Sequence, residues 1–355
     1  MGALSGKIAV VAGATRGAGR GIARGLGEAG ATVYCTGRSI RGYVATPGRP
    51  ETIDETAEMV TAAGGKGIAA QVDHTDESQV QLFFDRVQRE QDHLDILVND
   101  IWGGDQLTEW GKPFWELDVE KGLTMLQRAV HAHIITSRHG VPLMVGTSEP
   151  PPQSESRPGV FSPSSVAPVE RGGLIVEVTD GDFLGYRGNL LYDLAKLSTI
   201  RLAYGMAKDL RGRGITALAV TPGFLRSEAM LDHFGVTEAT WRDAIAQDRH
   251  FAESETPTYI GRAVTALAAD PNVGEKAGKV WSTGKLAREY GFIDKDGRQP
   301  DFGSYFDEAV NAILTHGGPH DDDERALLLA RYDQLDLDPR RADDAARMAA
   351  RLWPQ

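Results

Sequence analysis

The chain has 355 residues, 41% of them hydrophobic, enough for one large α/β domain with additions or for two domains. A formal charge of −12 argues against a nucleic-acid surface or an anionic membrane as the main partner, and a single cysteine, Cys35, excludes an intrachain disulfide framework and suits a reducing cytoplasm. The first apolar run starts just after Lys7, so no signal peptide is expected, and no apolar run reaches membrane-spanning length.

Residues 8–12, Ile-Ala-Val-Val-Ala, read as a short buried strand. Gly13-Ala14-Thr15-Arg16-Gly17-Ala18-Gly19 follows, and then Ile22, Ala23 and Leu26 recur at helical spacing. Strand, glycine turn and helix together bring backbone N–H groups and a helix N-terminus up to a pyrophosphate. Gly13 permits the tight turn, while Gly17 and Gly19 remove side chains where ligand and strand must come close. A second strand at 31–36 ends in Gly37-Arg38-Ser39. In a Rossmann half, an acidic residue at this strand end would bind the 2′-hydroxyl of NAD. Arg38, with Arg16 in the turn, instead offers two guanidiniums to a phosphate dianion, which favours NADP(H) over NAD(H).

A Gly/Pro-bearing loop at 41–50 precedes a helix at 51–63, and a third strand at 67–72 ends in Asp73. The helix at 76–90 carries Val80, Phe83, Phe84 and Val87 on one face. A fourth strand at 94–98 is followed by Asn99-Asp100-Ile101-Trp102-Gly103-Gly104, where Trp102 either walls a pocket or joins the core. Helices are expected over 113–139; His131 and His133, two apart, point to different helix faces, so no metal site is expected. Residues 147–171 hold six Pro and six Ser in 25 positions and read as either a lid or a surface insertion.

The fifth strand, 173–178, leads into Thr179-Asp180-Gly181-Asp182. Tyr192 and Lys196 then open a long helix running to about residue 210 and share one of its faces. An ammonium beside a phenol favours the phenolate and lowers its pKa. A tyrosine tuned in this way can give a proton to a carbonyl oxygen as hydride arrives, or remove one in reverse. A sixth strand at 215–220 precedes a helical flap at 227–248, whose Met230, Leu231, Phe234 and Trp241 could cover an apolar substrate. A helix at 256–268 and a last strand at 278–282 follow. Near the end, Asp321-Asp322-Asp323-Glu324 would suit the start of a helix at 325–332, and Ala345, Met348, Ala349 and Leu352 form a helical apolar stripe.

The glycine turn, Asp73, Asn99, Tyr192 with Lys196, and Thr221-Pro222-Gly223 together resemble the short-chain dehydrogenase/reductase family over about residues 5–285. Residues 286–298 resemble the tail of its member 1 branch. The resemblance implies a Rossmann-type, doubly wound parallel α/β sheet over 1–285, a partly helical extension over 286–355, and a nicotinamide cofactor. It implies Tyr192 as the catalytic acid and Lys196 as its ribose-binding partner. Gly13, Thr15, Arg16, Gly17, Ala18, Gly19, Arg38, Asp73 and Asn99 would serve the cofactor, with Asp73 at the adenine. Pro222, Gly223, Phe224 and Leu225 would flank the nicotinamide, and Ser227 would meet its amide. A small carbonyl or alcohol substrate and a homodimer or homotetramer built on the long helices are also implied, while the cytoplasmic location is expected from the single Cys35.

Two departures bear on the chemistry. Where the family has a serine ahead of the tyrosine, this chain offers Thr179 or Asp180. Thr179 could donate the same hydrogen bond, whereas Asp180 could do so only if kept neutral. The helical asparagine of the family is matched by Gln127, with Arg128 beside it. The leading expectation is an NADP(H)-dependent oxidoreductase. The alternatives are a cofactor-binding protein with little redox activity, and an eliminase or isomerase with Asp180 as base.

Overall fold

The computed structural model describes residues 2–145, 172–182 and 186–306. The expectations for 147–171 and for the helices at 325–332 and 345–352 lie outside the described residues.

Seven strands form one parallel sheet in the order β3-β2-β1-β4-β5-β6-β7. They are β1 (Ile8–Ala12), β2 (Thr32–Gly37), β3 (Lys66–Gln71), β4 (Ile96–Asn99), β5 (Gly173–Val178), β6 (Ile215–Thr221) and β7 (Val280–Ser282). The helices are α1 (Gly17–Glu28), α2 (Ile53–Ala62), α3 (Glu77–Gln91), α4 (Val119–Leu126), α5 (Ala132–Val145), α6 (Leu190–Asp209), α7 (Glu228–His233), α8 (Pro257–Ala269) and α9 (Thr283–Tyr290). Alternation along β1 sends Ala9 and Val11 into one core and Ile8 and Val10 into the other. The first core packs on α1, α2 and α8 through Ile22, Leu26, Val60 and Val264, and the second packs on α3 and α5 through Phe83, Phe84 and Met144. Burial on both faces explains why the inner strands read as continuous apolar runs.

The strand order reverses between β1 and β4, and a doubly wound sheet opens a crevice at that point, outside the carboxyl ends of its strands. The register pairs Ala12 with Thr36 on one side and with Asn99 on the other, and Asn99 in turn with Glu177. The segments that follow, at Gly13, Asp100 and Thr179, therefore reach one rim.

The boundary drawn at residue 285 falls inside α9, whose Leu286 and Ala287 are fully buried. The following loop is tied in by Arg226, itself buried, which pairs with Asp296 at 3.0 Å and Glu238 at 3.1 Å. The flap differs from the single helix expected over 227–248. Only α7 is α-helical there: Gly235, at φ +66°, follows its end, and 3₁₀ turns continue at Trp241–Ala246 and Arg249–Glu253. The expected helical stretch at 113–139 likewise divides into a 3₁₀ turn at Phe114–Glu116, α4, a π-turn at Gln127–His131, and α5.

Helices α1 and α8 cross nearly backbone to backbone. A Cβ added at Gly21 would lie 1.8 Å from the Pro257 carbonyl oxygen, and one at Gly261 would lie 2.3 Å from that of Gly21. Gly21→Ala is expected to lower stability by about 1–3 kcal/mol, because both clashing groups are backbone. The midpoint of urea unfolding measures this, and an unchanged midpoint would show that the helices can separate freely.

Candidate active site

At the crevice, a cleft of about 580 Å³ is lined by the glycine turn, the ends of β2 to β6, the start of α6 and the flap. Helix α1 begins after Arg16, an extended residue whose side chain makes no capping bond, although short oxygen-bearing side chains are the usual caps. The first amides of α1 are therefore open to an anionic partner. The Glu228 carboxylate takes this role, accepting from the Gly17 N–H at 2.8 Å with Arg20 3.6 Å away. Gly17 adopts φ +57°, and the nearest atom to a Cβ built there would be the Ser227 Cβ, 3.7 Å away. Donor chemistry, open space and an anion already held at the helix start fit a pyrophosphate.

Gly13 and Gly19 serve the backbone. A Cβ at Gly13 would stand 2.2 Å from the Asp100 carbonyl oxygen, and one at Gly19 would stand 2.4 Å from that of Gly13. The Asp100 carboxyl accepts from the Gly19 N–H, and burial pushes its pKa up to about 7, against the opposing effects of Lys196 and that amide.

Gly13, Thr15, Arg16, Gly17, Ala18, Arg38, Asp73, Thr179, Asp180, Tyr192, Lys196, Pro222, Gly223, Phe224, Leu225 and Ser227 all line the cleft. Gly19 and Asn99 are not among the lining residues. Asn99 is wholly buried beneath the cleft and donates to Ser137 at 2.9 Å and Glu177 at 2.6 Å. Gln127 is exposed on the π-turn, and the neighbouring Arg128 is the residue that enters the cleft. Trp102 is a wall of the cleft.

Asn189 caps α6 by accepting from the amides of Leu191 and Tyr192, which fixes Tyr192 in the first turn. Its ring lies between two indoles, with centroids 5.4 Å from Trp102 and 5.1 Å from Trp110. Its hydroxyl donates to the Asp180 Oδ2 at 2.6 Å. Thr179 donates its hydroxyl to the Lys196 carbonyl at 2.7 Å, so of the two candidates Asp180 is the one that meets the phenol. The Lys196 Nζ lies 3.8 Å from the centroid of the Trp102 ring and 5.4 Å from that of Tyr192.

The expected lowering of the tyrosine pKa by Lys196 is not what this geometry gives. Burial, then the Asp180 charge and hydrogen bond, hold the Tyr192 phenol well above its ordinary value. Burial also lowers the Lys196 pKa, opposed by Asp180, Asp100 and Asp105. Tyr192 is thus a firmly protonated phenol bonded to a carboxylate.

Two supporting groups escaped sequence reasoning. His133, which the sequence spacing sets apart only from metal binding, directs Nδ1 at the Glu177 carboxylate (2.6 Å) and Nε2 at the Ile101 carbonyl (3.0 Å), pinning the segment that carries Asp100 and Trp102. Burial, the largest single effect, opposes its charge, but Glu177, the Ile101 carbonyl and Asp100 together hold the His133 pKa above its ordinary value. Glu255, also buried, accepts at Oε2 from the Gly223 amide (2.9 Å) and the Thr283 hydroxyl (2.6 Å), while its Oε1 has no partner among the described residues. An acidic residue inside an apolar strand, Glu177 in Leu-Ile-Val-Glu-Val, was the available signal for the first. Glu255 had none.

The short chain dehydrogenase family model matches residues 7–150. Dehydrogenase/reductase SDR family member 1 of Mus musculus is 34% identical over 300 residues, covering 83% of this chain and 85% of that protein. This chain belongs to the short-chain dehydrogenase/reductase family. The Homo sapiens relative of the same name is 32% identical over 299 residues, with the same coverage. The solved structure of a short-chain dehydrogenase from Mycobacterium thermoresistibile superposes with a TM-score of 0.63 at 20% identity, covering 84% of this chain and 95% of that one. Short-chain dehydrogenases/reductases are oxidoreductases that use nicotinamide cofactors. Among the described residues, no helix is long and apolar enough to cross a membrane.

Two outcomes follow for this short-chain dehydrogenase/reductase. Burial raises the Glu255 pKa to about 8, above the roughly 4.3 of an unfolded chain. The folded state therefore keeps a proton that the unfolded state loses, and this contribution to stability falls as pH rises from about 4.3 to about 8. Between pH 5 and 9 the melting temperature of Glu255→Gln should decline less than that of the parent; parallel declines would refute the assignment. Separately, Glu228→Gln removes a carboxylate that competes for the Gly17 amide. It should tighten dinucleotide binding about two- to fivefold, measured by fluorescence titration, and weaker binding would show that Glu228 helps hold the cofactor.

Proposed function

We propose that this chain is an NADP(H)-dependent oxidoreductase that interconverts a small carbonyl compound and its alcohol. The observation that carries the reading is the 2.6 Å bond from the Tyr192 hydroxyl to the Asp180 carboxylate, inside a cleft that begins at the glycine turn. The nicotinamide supplies or accepts the hydride when bound. Arg16 and Arg38, both lining the cleft, favour the 2′-phosphorylated form, and Lys196, four residues after Tyr192, would bind the ribose.

In alcohol oxidation Tyr192 takes the substrate hydroxyl proton while passing its own to Asp180. In carbonyl reduction the protons run back, from Asp180 to Tyr192 to the substrate oxygen. Asp180 thus stores the proton that a phenol with a raised pKa cannot release alone. Trp102 and Trp110 flank the phenol and limit water at the transfer. Phe224 and Met230 offer the substrate an apolar wall, and Ser227, at the start of α7, would meet the cofactor amide.

The same Tyr192–Asp180 contact favours a second reading, an elimination or isomerisation with Asp180 as base. Assembly as a homodimer or homotetramer is supported by exposed apolar side chains at Trp115, Val119 and Leu123 around α4 and at Leu194 on α6. A cytoplasmic location is consistent with the single, buried, unpaired Cys35.

With a panel of ketones and alcohols followed by NADPH absorbance, Tyr192→Phe should reduce turnover by about 10²-fold or more and leave NADPH affinity within about twofold. Asp180→Asn should remove one ionisation from the pH–rate profile. Full turnover by the phenylalanine variant would overturn the proposal, and activity without any change in NADPH absorbance would select the second reading.

A further inference from the structure

Three guanidiniums line the cleft, and two of them, Arg38 and Arg128, act on each other. Arg16 and Arg38 come from the first two strand-to-helix turns, whereas Arg128 enters from the π-turn between α4 and α5. A π-turn rotates the side chains of a helix out of their regular positions and recurs at functional sites. Gly103 leaves the space that Arg128 fills: a Cβ on Gly103 would lie 3.0 Å from the Arg128 Cδ. The Arg128 Nη1 donates to the Gly103 carbonyl at 2.9 Å, which employs one of its five N–H donors. Among the described residues, neither Arg16 nor Arg128 is in an ion pair.

Asp73 is the carboxylate that acts on Arg38 and Arg128, whereas Asp100 acts on Arg16. Asp73 Oδ2 stands 4.0 Å from Arg38, and its Oδ1 is occupied by the Thr75 amide at 3.0 Å and the Thr75 hydroxyl at 2.7 Å. His74, beside it, adds no charge, since burial takes its pKa down to about 3. Burial, and then the charge of Arg38, hold the Arg128 guanidinium below its ordinary value, opposed by Asp73. A partly buried cation facing another cation is the arrangement a bound dianion stabilises.

We infer that Arg128 is the third cation of a 2′-phosphate subsite, joining Arg16 and Arg38, and that it selects phosphorylated over unphosphorylated dinucleotide. This rests on the dinucleotide reading above. Arg128 reaches the phosphate from the helix side of the cleft and offers a planar fork of donors, held at its root by Gly103.

Titration of the full chain with NADPH, NADH, adenosine 2′,5′-bisphosphate and ADP tests this by calorimetry, independently of turnover. Arg128→Gln should weaken NADPH and the bisphosphate about tenfold, and NADH and ADP less than about twofold. Arg128→Lys, which keeps a charge but loses the fork, should weaken NADPH alone by about threefold. Circular dichroism identifies which variants fold, and the lysine variant decides the matter if the glutamine variant does not. An unchanged NADPH-to-NADH affinity ratio in a folded variant overturns the inference, as does an equal loss for both nucleotides, which would place Arg128 at the adenine. A parent chain that binds neither dinucleotide would defeat the cofactor reading itself, whereas normal parent binding with an insensitive Arg128 would defeat only the subsite.

Discussion

At the carboxyl end of β1 the chain passes so close to the segment after β4 that the Asp100 carbonyl oxygen lies 2.2 Å from where a Cβ on Gly13 would stand. That approach is possible because Ala12 pairs with Asn99 in parallel register and because residue 13 has no side chain. Much of the site depends on it. It brings the Asp100 carboxyl to the Gly19 amide, and the two residues after Asp100 carry Trp102 over Lys196. Beneath, His133 and Glu177 hold the same segment through the Ile101 carbonyl, so the wall of the cleft rests on a buried hydrogen-bonded network. Burying polar groups is costly, and removing one partner leaves the other unsatisfied. Here the gain is a fixed position for a loop that would otherwise be free to move.

Asp73 acts on Arg38 and Arg128, Asp100 acts on both Arg16 and Lys196, and Asp180 and Asp105 act on a phenol and an ammonium. Desolvation acts on both groups at the reacting end, pushing the Tyr192 pKa up and the Lys196 pKa down, toward the uncharged form in each case. The ammonium therefore does not bring the tyrosine pKa below its ordinary value in this geometry. In the proposed reaction its 2.6 Å bond to Asp180 gives the proton a place to go. Glu228 adds a link between flap and glycine turn, since a carboxylate from α7 rests on the first amide of α1.

The strands were legible because both faces of the sheet are covered, which makes each inner strand an uninterrupted apolar run bounded by polar or glycine-bearing turns. The glycine turn and the Tyr192/Lys196 spacing were legible for a local reason, since each depends on residues within one turn of chain. Less of the flap could be read. Met230, Leu231, Phe234 and Trp241, expected to cover an apolar substrate, share a small apolar cluster with Phe224 and Phe251 instead; only Met230 of the four lines the cleft, and Gly235 and the 3₁₀ turns interrupt the helix. Asn99 was recognised as a motif residue, yet its position beneath the cleft rather than in its wall follows from its pairing with Glu177, 78 residues away.

The sequence by itself determined the parallel, doubly wound sheet, the anion-accepting turn after β1, and the placement of a tyrosine and a lysine on one face of α6. Those features follow from local periodicity and from glycine where backbone must approach backbone. Only the tertiary structure decided that Asp180 and not Thr179 meets the phenol, that Arg128 and not Gln127 enters the cleft, and that Glu255 supports the loop at Gly223. Each of those outcomes turns on which hydroxyl is already satisfied, how a π-turn rotates a helix, or which buried group lies across the fold. None of these is encoded within a few residues of the group concerned.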